Sequence, residues 1–377
     1  MSDAGTTQVK IEDAKRNHWP VVLYGLGQLG QDMGIQFLDW IGLRPKFVCD
    51  KNGQAIADYV IKHPGIKGID YDNLLTLQKH VLVCVCLGAA YMEEVCHTLA
   101  DNSFLHLITI DEITSLDSVI EQFYGIQNIR GYALDSLQNN SSSRLEKKER
   151  AAVYTCVTGD YDYIKEPLKT EENCDYFLIS DKKYPDLHVY QQLDITDFAP
   201  GNLAENAEKN RWCKMHGHRI FENYRYSIYL DGTIQLLHPV SHYVEQIGTI
   251  GMALHKHPLR NCIYEEGLRL IANKRGTINY QSLREQMLRY LREGMPREYG
   301  LFECGMIVRD HANAVGSRIM EQWFEEYRTG IKRDQLSFTY ILWKNGISSN
   351  DAGILNGGKD IRKNPHLMIE HTHGTKK

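Results

Sequence analysis

The triplet Arg333, Asp334 and Gln335 stands directly before the apolar run LSFTYILW (336–343). If that run is buried, it holds the three polar side chains steady for chemistry, at no further entropy cost when a reaction occurs. The other interpretation is that Asp334 only caps a buried helix. Apolar and polar residues alternate over the first five residues of the run, so periodicity leaves helix and strand open. The aspartate at its start favours a capped helix.

A second candidate carboxylate ends a predicted strand. Asp231 and Gly232 close the pattern YSIYLDG (226–232). Ligands of α/β sheets bind at the carboxyl ends of strands. A divalent ion that bridges a diphosphate needs hard oxygen ligands, and one or two carboxylates suffice. Gly232 would let the diphosphate approach the backbone. The alternative is that the Asp-Gly pair is a turn between two strands.

Basic residues precede that strand at helical spacing. Arg211, Lys214 and His218 would share one helix face and could contact phosphate. A solvated basic face is the alternative. Near the C-terminus, His371 and His373 are two residues apart, and an extended segment would point both to the same side. They could hold a metal or a phosphate, or belong to a tail without fixed structure.

The N-terminal part carries a glycine pattern. Gly25, Gly27 and Gly30 follow the apolar run VVLY, and Asp50 lies 20 residues beyond Gly30. This is the dinucleotide fingerprint, in which glycines let backbone N–H groups approach a pyrophosphate at a helix N-terminus and the acid accepts from a ribose hydroxyl. An NAD-like ligand is therefore expected there. The alternative is that the glycines only make a tight strand-to-helix turn.

The elements that position these residues alternate between strand and helix. In the N-terminal part, strands are predicted at 21–24, 46–50, 81–88 and 105–110, with helical stretches between them, which indicates a parallel sheet. After the polar segment 131–150, a second series begins. Its predicted strands are 151–159, 174–180, 187–193, 226–232 and 301–309, and its predicted helices are 203–214, 261–273, 281–293 and 315–328. The predicted domains are 1–130, a linker at 131–150, and 151–377.

Composition limits the classes of function. The 377 residues suggest two domains, and a net charge of −5 gives no general attraction to nucleic acid or to an anionic membrane. The nine cysteines show no disulfide framework, so buried free thiols in a reducing cytoplasm are expected. The first 20 residues lack the apolar core of a signal peptide, and no run reaches the roughly 18 apolar residues of a membrane span.

Five blocks in the second domain resemble, in the same order, a family of glycosyltransferases that includes plant mucilage and pollen-wall proteins and bacterial capsule-type proteins. The blocks are SIYLDGTIQLLHPV, ALHKHPLRNCIYEEG, REQMLRYLREGMP, LFECGMIVRDH and RDQLSF, and YTCVTGDYDYIKEP is similar to the family's opening strand and loop. The resemblance covers about 151–377. It implies a GT-A-like α/β domain that uses a nucleotide-sugar donor and a glycan acceptor.

The resemblance also implies roles for single residues. Asp231 lies where the acidic metal-binding motif of such enzymes is found, with Mn²⁺ or Mg²⁺ as the ion, although Tyr229 and Thr233 replace the second aspartate of Asp-x-Asp. His371 or His373 would complete the metal site. Asp181 is similar to the residue that meets the base or ribose, and Arg211 and Lys214 correspond to the basic helix. Asp334 and Gln335 resemble a pair that faces the transferred sugar, while Arg333 neutralises the leaving diphosphate.

The leading hypothesis is therefore sugar transfer from a nucleotide-diphosphate donor to a hydroxyl. One alternative is an NAD(P)-dependent oxidoreductase or epimerase acting on sugar nucleotides through the N-terminal fingerprint. Another is a non-catalytic sugar-nucleotide-binding protein, which the single carboxylate at position 231 suggests.

Overall fold

The computed structural model describes residues 4–77, 80–126, 150–273 and 279–370. The chain divides into two compact units, each with its own sheet. The first unit combines Met1–Arg130 with Tyr264–Leu291, and the second combines Gly131–Ile263 with Arg292–Lys377. The protein is thus a two-domain α/β chain. Of the predicted linker 131–150, only Arg150 lies within the described residues.

The first unit contains a five-stranded sheet in the order β3-β2-β1-β4-β5, and every neighbouring pair is parallel. Its strands are β1 (Val21–Tyr24), β2 (Pro45–Cys49), β3 (Lys67–Ile69), β4 (Leu82–Val85) and β5 (Leu107–Thr109). β1 and β4 are buried along their whole length, which suits the continuous apolar runs of a sheet covered on both faces. β3 was not predicted, because an edge strand that reads Lys-Gly-Ile has no apolar alternation.

One helix precedes β1, and at least one helix follows each strand of this unit. The helices are α1 (Ala4–Arg16), α2 (Gln28–Trp40), α3 (Gly53–Lys62), α4 (Tyr71–Leu75), α5 (Ala89–Asp101), α6 (Ile110–Thr114) and α7 (Asp117–Tyr124). Local capping explains several of the starts. Asn52 caps α3 and Asp70 caps α4, and Thr109 forms a capping box with Glu112 at α6.

The second unit is built on a seven-stranded mixed sheet in the order β13-β11-β12-β9-β6-β7-β8. Its strands are β6 (Ala151–Val157), β7 (Cys174–Ser180), β8 (Gln191–Asp194), β9 (Tyr226–Leu230), β11 (Met252–Lys256), β12 (Phe302–Asp310) and β13 (Gly353–Ile354); β10 (Ile234–Leu236) pairs with β14 (Leu367–Ile369) in a separate antiparallel ribbon. β6, β7, β8 and β9 run parallel, and β12 is antiparallel to β9.

The remaining helices of the described residues are α8 (Asn206–Met215), α9 (Gly217–Ile220), α10 (Ile263–Asn273), α11 (Tyr280–Glu293), α12 (Ala314–Thr329) and α13 (Asp334–Lys344). Four of these six helices correspond to the predicted helical stretches, and α9 and α13 are additional to those stretches. Short 3₁₀ turns supplement them at 195–197, 241–246, 349–351, 355–358 and 361–363. The helical predictions at 203–214, 261–273, 281–293 and 315–328 are confirmed within a few residues.

Two features differ from the sequence-based expectation. Tyr264–Leu291, which covers most of α10 and α11, packs with the first unit, whereas the predicted division placed it in the second domain. The strand predicted at 187–193 is wrong in its first half, because β8 begins at Gln191. The backbone N–H groups of His188 and Val189 instead donate to Glu166 Oε1, at 2.5 and 2.6 Å, and are therefore lost to a sheet ladder.

Every cysteine is a free thiol, and eight of the nine are buried, as the sequence predicts. Within the described ranges, no helix has both the length and the apolar character needed to cross a bilayer.

Candidate functional site

The second unit has a point at which its strand order reverses. The chain builds β6, β7 and β8 toward one side and then returns to place β9 on the other side of β6. A crevice at the carboxyl ends of two such strands is where open α/β sheets bind ligands. Asp231 and Gly232 follow β9 at this point. A Cβ atom on Gly232 would come within 2.9 Å of both Val157 Cγ2 and Asp162 Oδ2, so the loop after β6 closes directly onto Gly232.

Lys214 joins the two candidate carboxylates. Its Nζ donates to Asp334 Oδ2 at 2.6 Å and to Asp231 Oδ1 at 3.2 Å. The Lys214 side chain is 1% exposed, the Asp334 side chain 9%, and the Asp231 side chain 31%. The structure therefore brings these three residues together, and Asp231 is the most exposed of them.

Helix α8 carries Lys214 inward on its last turn. Tyr154, on β6, donates its hydroxyl to the carbonyl of Cys213 at 3.0 Å, and Arg309, on β12, donates to the carbonyl of Lys214. Both anchors are buried. They satisfy carbonyls that the end of a helix leaves without intrahelical partners, and they fix the depth at which the ammonium enters the site.

Helix α13 delivers Asp334. The helix begins at Asp334 with Arg333 as its N-cap residue, and no side chain caps it. Asp334 therefore occupies the first helical position and does not cap the helix. Most of the run 336–342 is fully buried, and Trp323 Nε1 donates to the carbonyl of Asp334 at 2.9 Å. The buried apolar run fixes helix α13 in the core, and the carboxylate of Asp334 at the start of the helix faces cations.

Arg211 is the second cation on Asp334. Its Nε lies 3.2 Å from Asp334 Oδ2, and its Nη1 donates to Asn210 Oδ1 at 2.5 Å. The side chain is 30% exposed. Burial by itself would lower the pKa of Arg211, but Asp334, Asp231 and two nearby tyrosines together raise it, so the guanidinium stays charged.

The charge state of Asp334 follows from the same contacts. Burial alone would raise the pKa of this carboxyl, but Lys214 and Arg211 more than compensate and hold the pKa well below its usual range. Asp334 is therefore a permanent carboxylate at neutral pH, and cannot serve as a proton donor there.

Asp231 is held from the strand side as well. Tyr229, two residues earlier, donates its hydroxyl to Asp231 Oδ1 at 2.9 Å. On β12, a Cβ at Gly305 would lie 3.5 Å from Asp231 Oδ2, an ordinary contact distance, so Gly305 borders the carboxylate. The described hydrogen bonds of this carboxylate both go to Oδ1.

Arg333 and Gln335 flank Asp334 and contact each other. Arg333 Nη2 donates to Gln335 Oε1 at 3.2 Å, and Gln335 Nε2 donates to the carbonyl of Phe302 at 3.3 Å. Both side chains are half-buried. The amide is thus oriented by β12, and the guanidinium is next to the charged cluster.

Asp181 follows β7 and is exposed. Its Oδ2 accepts from the backbone N–H of Gly159 at 2.9 Å, so it pins the loop after β6. Asp181 therefore lies at the carboxyl edge, as predicted, and braces the loop that closes on Gly232.

His218 does not share the helix face of Arg211 and Lys214, so that part of the prediction is wrong. α8 ends at Met215, and a Cβ at Gly217 would approach the Tyr154 hydroxyl to 2.5 Å. After this break His218 Nε2 pairs with Glu321 Oε1 at 2.9 Å. The pKa of His218 is lowered, mainly by burial, although Glu321 acts to raise it.

Of the predicted metal ligands, only Asp231 lies within the described residues. Within residues 4–77, 80–126, 150–273 and 279–370, no three His, Cys, Asp or Glu side chains are grouped so that they could hold a metal ion. His371 and His373 lie outside the described residues. The described chain ends at Glu370, whose backbone N–H donates to the carbonyl of Thr233 at 3.0 Å, two residues from Asp231.

The glycine loop of the first unit also lies at a point of strand reversal, between β1 and β4. Gly25 has φ +97°, and a Cβ there would meet Leu87 Cδ2 at 2.7 Å. A Cβ on Gly30 would collide with the carbonyl oxygen of Gly25, whereas the space beside Gly27 is open. These three environments match the turn, close-packing and ligand-approach roles of the fingerprint.

Asp50 has another use in this loop. Its Oδ2 accepts from the backbone N–H of Leu26 at 2.5 Å, and its Oδ1 accepts from that of Asn52 at 2.8 Å. The carboxylate therefore braces the glycine loop from β2.

Sequence reasoning missed Tyr229, Tyr154 and Arg309 as supports of the site. Tyr229 could have been found, since residues two apart on a strand share a face. Tyr154 and Arg309 gave no such signal, because they lie on other strands far away in sequence.

Residues 202–360 match the model of a family described as TOD1/MUCI70, glycosyltransferase-like domain. This part of the chain is therefore similar to a glycosyltransferase-like domain. Arg211, Lys214, Asp231 and Asp334 all lie inside the matched segment, and Asp181 lies outside it. A relative from Arabidopsis thaliana, "Alkaline ceramidase TOD1", is 26% identical over 246 residues, covering 56% of this chain and 52% of the relative. The chain thus spans about half the length of that curated relative.

Two solved structures are similar at low levels. Mouse xyloside xylosyltransferase 1, in its apo form, is 11% identical, with a TM-score of 0.33 over 52% of this chain and 82% of its own. The apo WbbM bifunctional glycosyltransferase is 11% identical, with a TM-score of 0.36 over 75% and 59% respectively. TM-scores below 0.5 do not establish a shared fold.

Proposed function

We propose that the second unit transfers a sugar from a nucleotide-diphosphate donor to a hydroxyl of a glycan acceptor, on a GT-A-like scaffold. The observation that carries the proposal is the ammonium of Lys214, which joins Asp231 and Asp334 beside the strand reversal of a glycosyltransferase-like domain. Lys214 and Asp334 are buried, and burying charged groups is costly unless they are paired. Their burial at the carboxyl edge of the sheet supports a site of chemistry more than a purely structural core.

The cations provide for the charge that develops during transfer. As the glycosidic bond breaks, the leaving diphosphate gains negative charge, and groups aimed at that charge lower the barrier. Arg211 is the best placed of them, because it is partly exposed and permanently charged. Arg333 is the second, at the start of α13. Lys214 is buried, and it keeps Asp231 and Asp334 close to each other.

Asp334 would face the sugar as a fixed carboxylate. Because it stays ionised, it can accept hydrogen bonds from sugar hydroxyls and stabilise positive charge at the anomeric carbon. Gln335 would add a second polar contact from the same helical turn. The buried helix holds this turn in place before the donor arrives.

A divalent ion is also part of the proposal, and Asp231 supplies the one carboxylate ligand that such an ion needs at least. Mg²⁺ and Mn²⁺ favour oxygen ligands, and Mg²⁺ is commonly bound through one or two carboxylates together with substrate phosphates. Asp231 offers a partly exposed carboxylate whose described hydrogen bonds use only Oδ1. When bound, the ion would neutralise the diphosphate. Asp231 would hold it from the protein side, with His371 or His373 as further ligands.

The nucleoside would extend toward Asp181. This exposed carboxylate lies at the end of β7 and braces the loop after β6. A ribose hydroxyl or a base amine is the kind of donor it could accept from, once the loop adjusts to the ligand.

The glycine loop of the first unit remains a candidate for a separate nucleotide, with an NAD-like compound as the proposed ligand. The open space at Gly27 favours it. Because Tyr264–Leu291 packs with this unit, NADH should be titrated into the full chain, since residues 1–130 alone lack two helices of the unit.

The test begins with a thermal-shift screen of nucleotide sugars, with and without Mn²⁺, since binding to the native state raises apparent stability. The best donor is then assayed for transfer and hydrolysis. Asp231→Asn and Asp334→Asn should each lose at least about 100-fold in kcat/KM, while EDTA should abolish turnover. Asp186→Asn, an exposed aspartate of the same unit, is the matched control.

Turnover near the wild-type level in either variant removes that residue from the mechanism. A donor that stabilises the protein without being transferred or hydrolysed indicates the non-catalytic sugar-nucleotide-binding alternative. Fatty acid released from ceramide, in the absence of any sugar transfer, would instead favour the activity named in the Arabidopsis relative.

A further inference from the structure

Strand β9 ends with a tyrosine and an aspartate on the same face. Tyr229 and Asp231 are two residues apart, and the Tyr229 hydroxyl donates to Asp231 Oδ1 at 2.9 Å. Tyr229 is fully buried. The tyrosine occupies the position at which a second carboxylate would complete Asp-x-Asp, and it replaces an acceptor with a donor.

The ring of Tyr229 contributes a second contact. Lys214 Nζ lies 5.4 Å from the ring centroid, within the range of a cation–π interaction. The ring packs against Tyr154 at a centroid distance of 5.3 Å and an interplanar angle of 64°. Since Tyr154 also anchors the last turn of α8, the phenol connects the strand that carries Asp231 to the helix that carries Lys214.

The hydroxyl acts as the donor in this contact, since a carboxylate oxygen can only accept, and it lies 2.9 Å from Asp231 Oδ1. A donor fixed by a rigid ring leaves the carboxylate one preferred orientation.

We propose that Tyr229 is a positioning residue of the donor site: through Oδ1 it orients Asp231, and with its ring it steadies Lys214. This inference rests on the proposed function of the same site. Two contacts from one buried side chain would give the single carboxylate of this motif the orientation it needs to bind a cation together with the donor diphosphate.

The competing explanation is a core tyrosine whose hydroxyl has found an acceptor. The two explanations make different predictions for a variant that lacks only the hydroxyl of Tyr229. A core role predicts a small fall in the thermal unfolding temperature and unchanged ligand affinity. A positioning role predicts weaker ligand binding, and predicts that the effect requires Asp231.

The experiment is a double-mutant cycle on ligand affinity in the full chain. The variants are Tyr229→Phe, Asp231→Asn and the double variant, with Tyr226→Phe as the control, because Tyr226 is equally buried on β9 but faces the other side. The ligand is Mn²⁺ with whichever of UDP, GDP, CDP or ADP stabilises the wild type most. Its Kd is measured by calorimetry, and the unfolding temperature of each variant without ligand is recorded alongside.

Tyr229→Phe should weaken binding about 10-fold, the order expected when a hydrogen bond to a charged group is lost, and should lower the unfolding temperature no more than Tyr226→Phe does. In the Asp231→Asn background the same change should alter Kd less than twofold, since residues that act through one another are not additive. Tyr229→Leu, which removes the ring, should weaken binding further than Tyr229→Phe.

Unchanged affinity in Tyr229→Phe, or equal losses in both backgrounds, would overturn the assignment, as would a wild type that binds none of the four nucleotides with Mn²⁺. If the wild type binds a nucleotide but transfers no sugar, the proposed function fails, and the binding cycle still decides the role of Tyr229.

Discussion

The two units each present a loop where the strand order of a parallel array reverses, and they use it differently. In the first unit the loop 25–30 follows β1 and has three glycines. In the second, Asp231 and Gly232 follow β9, and Lys214 of α8 joins Asp231 to Asp334 of α13. The first loop depends on glycines, at two of which a side chain would collide with neighbouring atoms. The second depends on charged side chains that pair with one another.

The carboxylates show the difference most clearly. Asp50 accepts two backbone N–H groups, from Leu26 and Asn52, and so braces the loop. Asp334 is held by Lys214 and Arg211, and of these two cations Arg211 is partly exposed. The carboxyl edge of the sheet thus carries a glycine loop held by backbone hydrogen bonds in the first unit, and a cluster of paired charges in the second. The first should respond mainly to steric change, and the second to charge removal.

The largest effect is expected from Lys214→Met. The substitution removes the main partner of a buried carboxylate, which should cost about 3–5 kcal/mol in the free energy of unfolding. Chemical denaturation of the full chain measures the loss. Lys332→Met is the matched control, since its partly exposed pair with Glu208 should contribute at most about 1 kcal/mol. If the two variants lose the same free energy of unfolding, the buried cluster contributes no more to stability than a surface ion pair.

Asp334→Asn should have an intermediate effect that depends on pH. The pKa of Asp334 is depressed in the folded protein, so its contribution is present above the ordinary aspartate pKa of about 3.9 and is lost as pH falls below that value. At pH 7 the variant should be about 1.5–3 kcal/mol less stable than the wild type. The difference should narrow only on acidification below about pH 4. A difference that is already gone at pH 6 would be incompatible with this ion cluster.

The glycine loop should give the smallest and most selective effect. Gly30→Ala places a Cβ against the carbonyl of Gly25 and should cost about 1–3 kcal/mol. Gly27→Ala meets open space at a φ of −60°, and should stay within about 0.5 kcal/mol. Denaturation curves compare the two. Similar losses at both positions would mean that the loop is not shaped by close packing.

Much of the secondary structure could be predicted because its causes are local. Continuous apolar runs identified β1, β4 and β6, and helical periodicity with charged ends identified α10 through α12. The exceptions have local reasons too. β3 is too short and polar to carry a pattern, and the start of β8 was misplaced because Glu166, more than 20 residues earlier, takes the backbone donors of His188 and Val189.

The candidate site could be predicted only as separate pieces. Asp231 was found from its strand end, Asp334 from the apolar run behind it, and Lys214 from helical spacing. His218 had the same spacing and was misplaced, because α8 ends at Met215, three residues before it. Periodicity assumes a continuous helix, and the spacing does not show where this helix stops.

The sequence by itself determined which segments bury themselves, where the chain turns on glycine, and which polar residues stand at element ends, since each depends on neighbours within a few residues. Only the tertiary structure decided that Lys214 joins Asp231 and Asp334, residues 17 and 120 positions away. It also decided that Asp50 serves its loop, and that Tyr264–Leu291 returns to the first unit. The reason is physical: a buried charge takes whichever partners the packed elements bring to it, and that choice has no local signature.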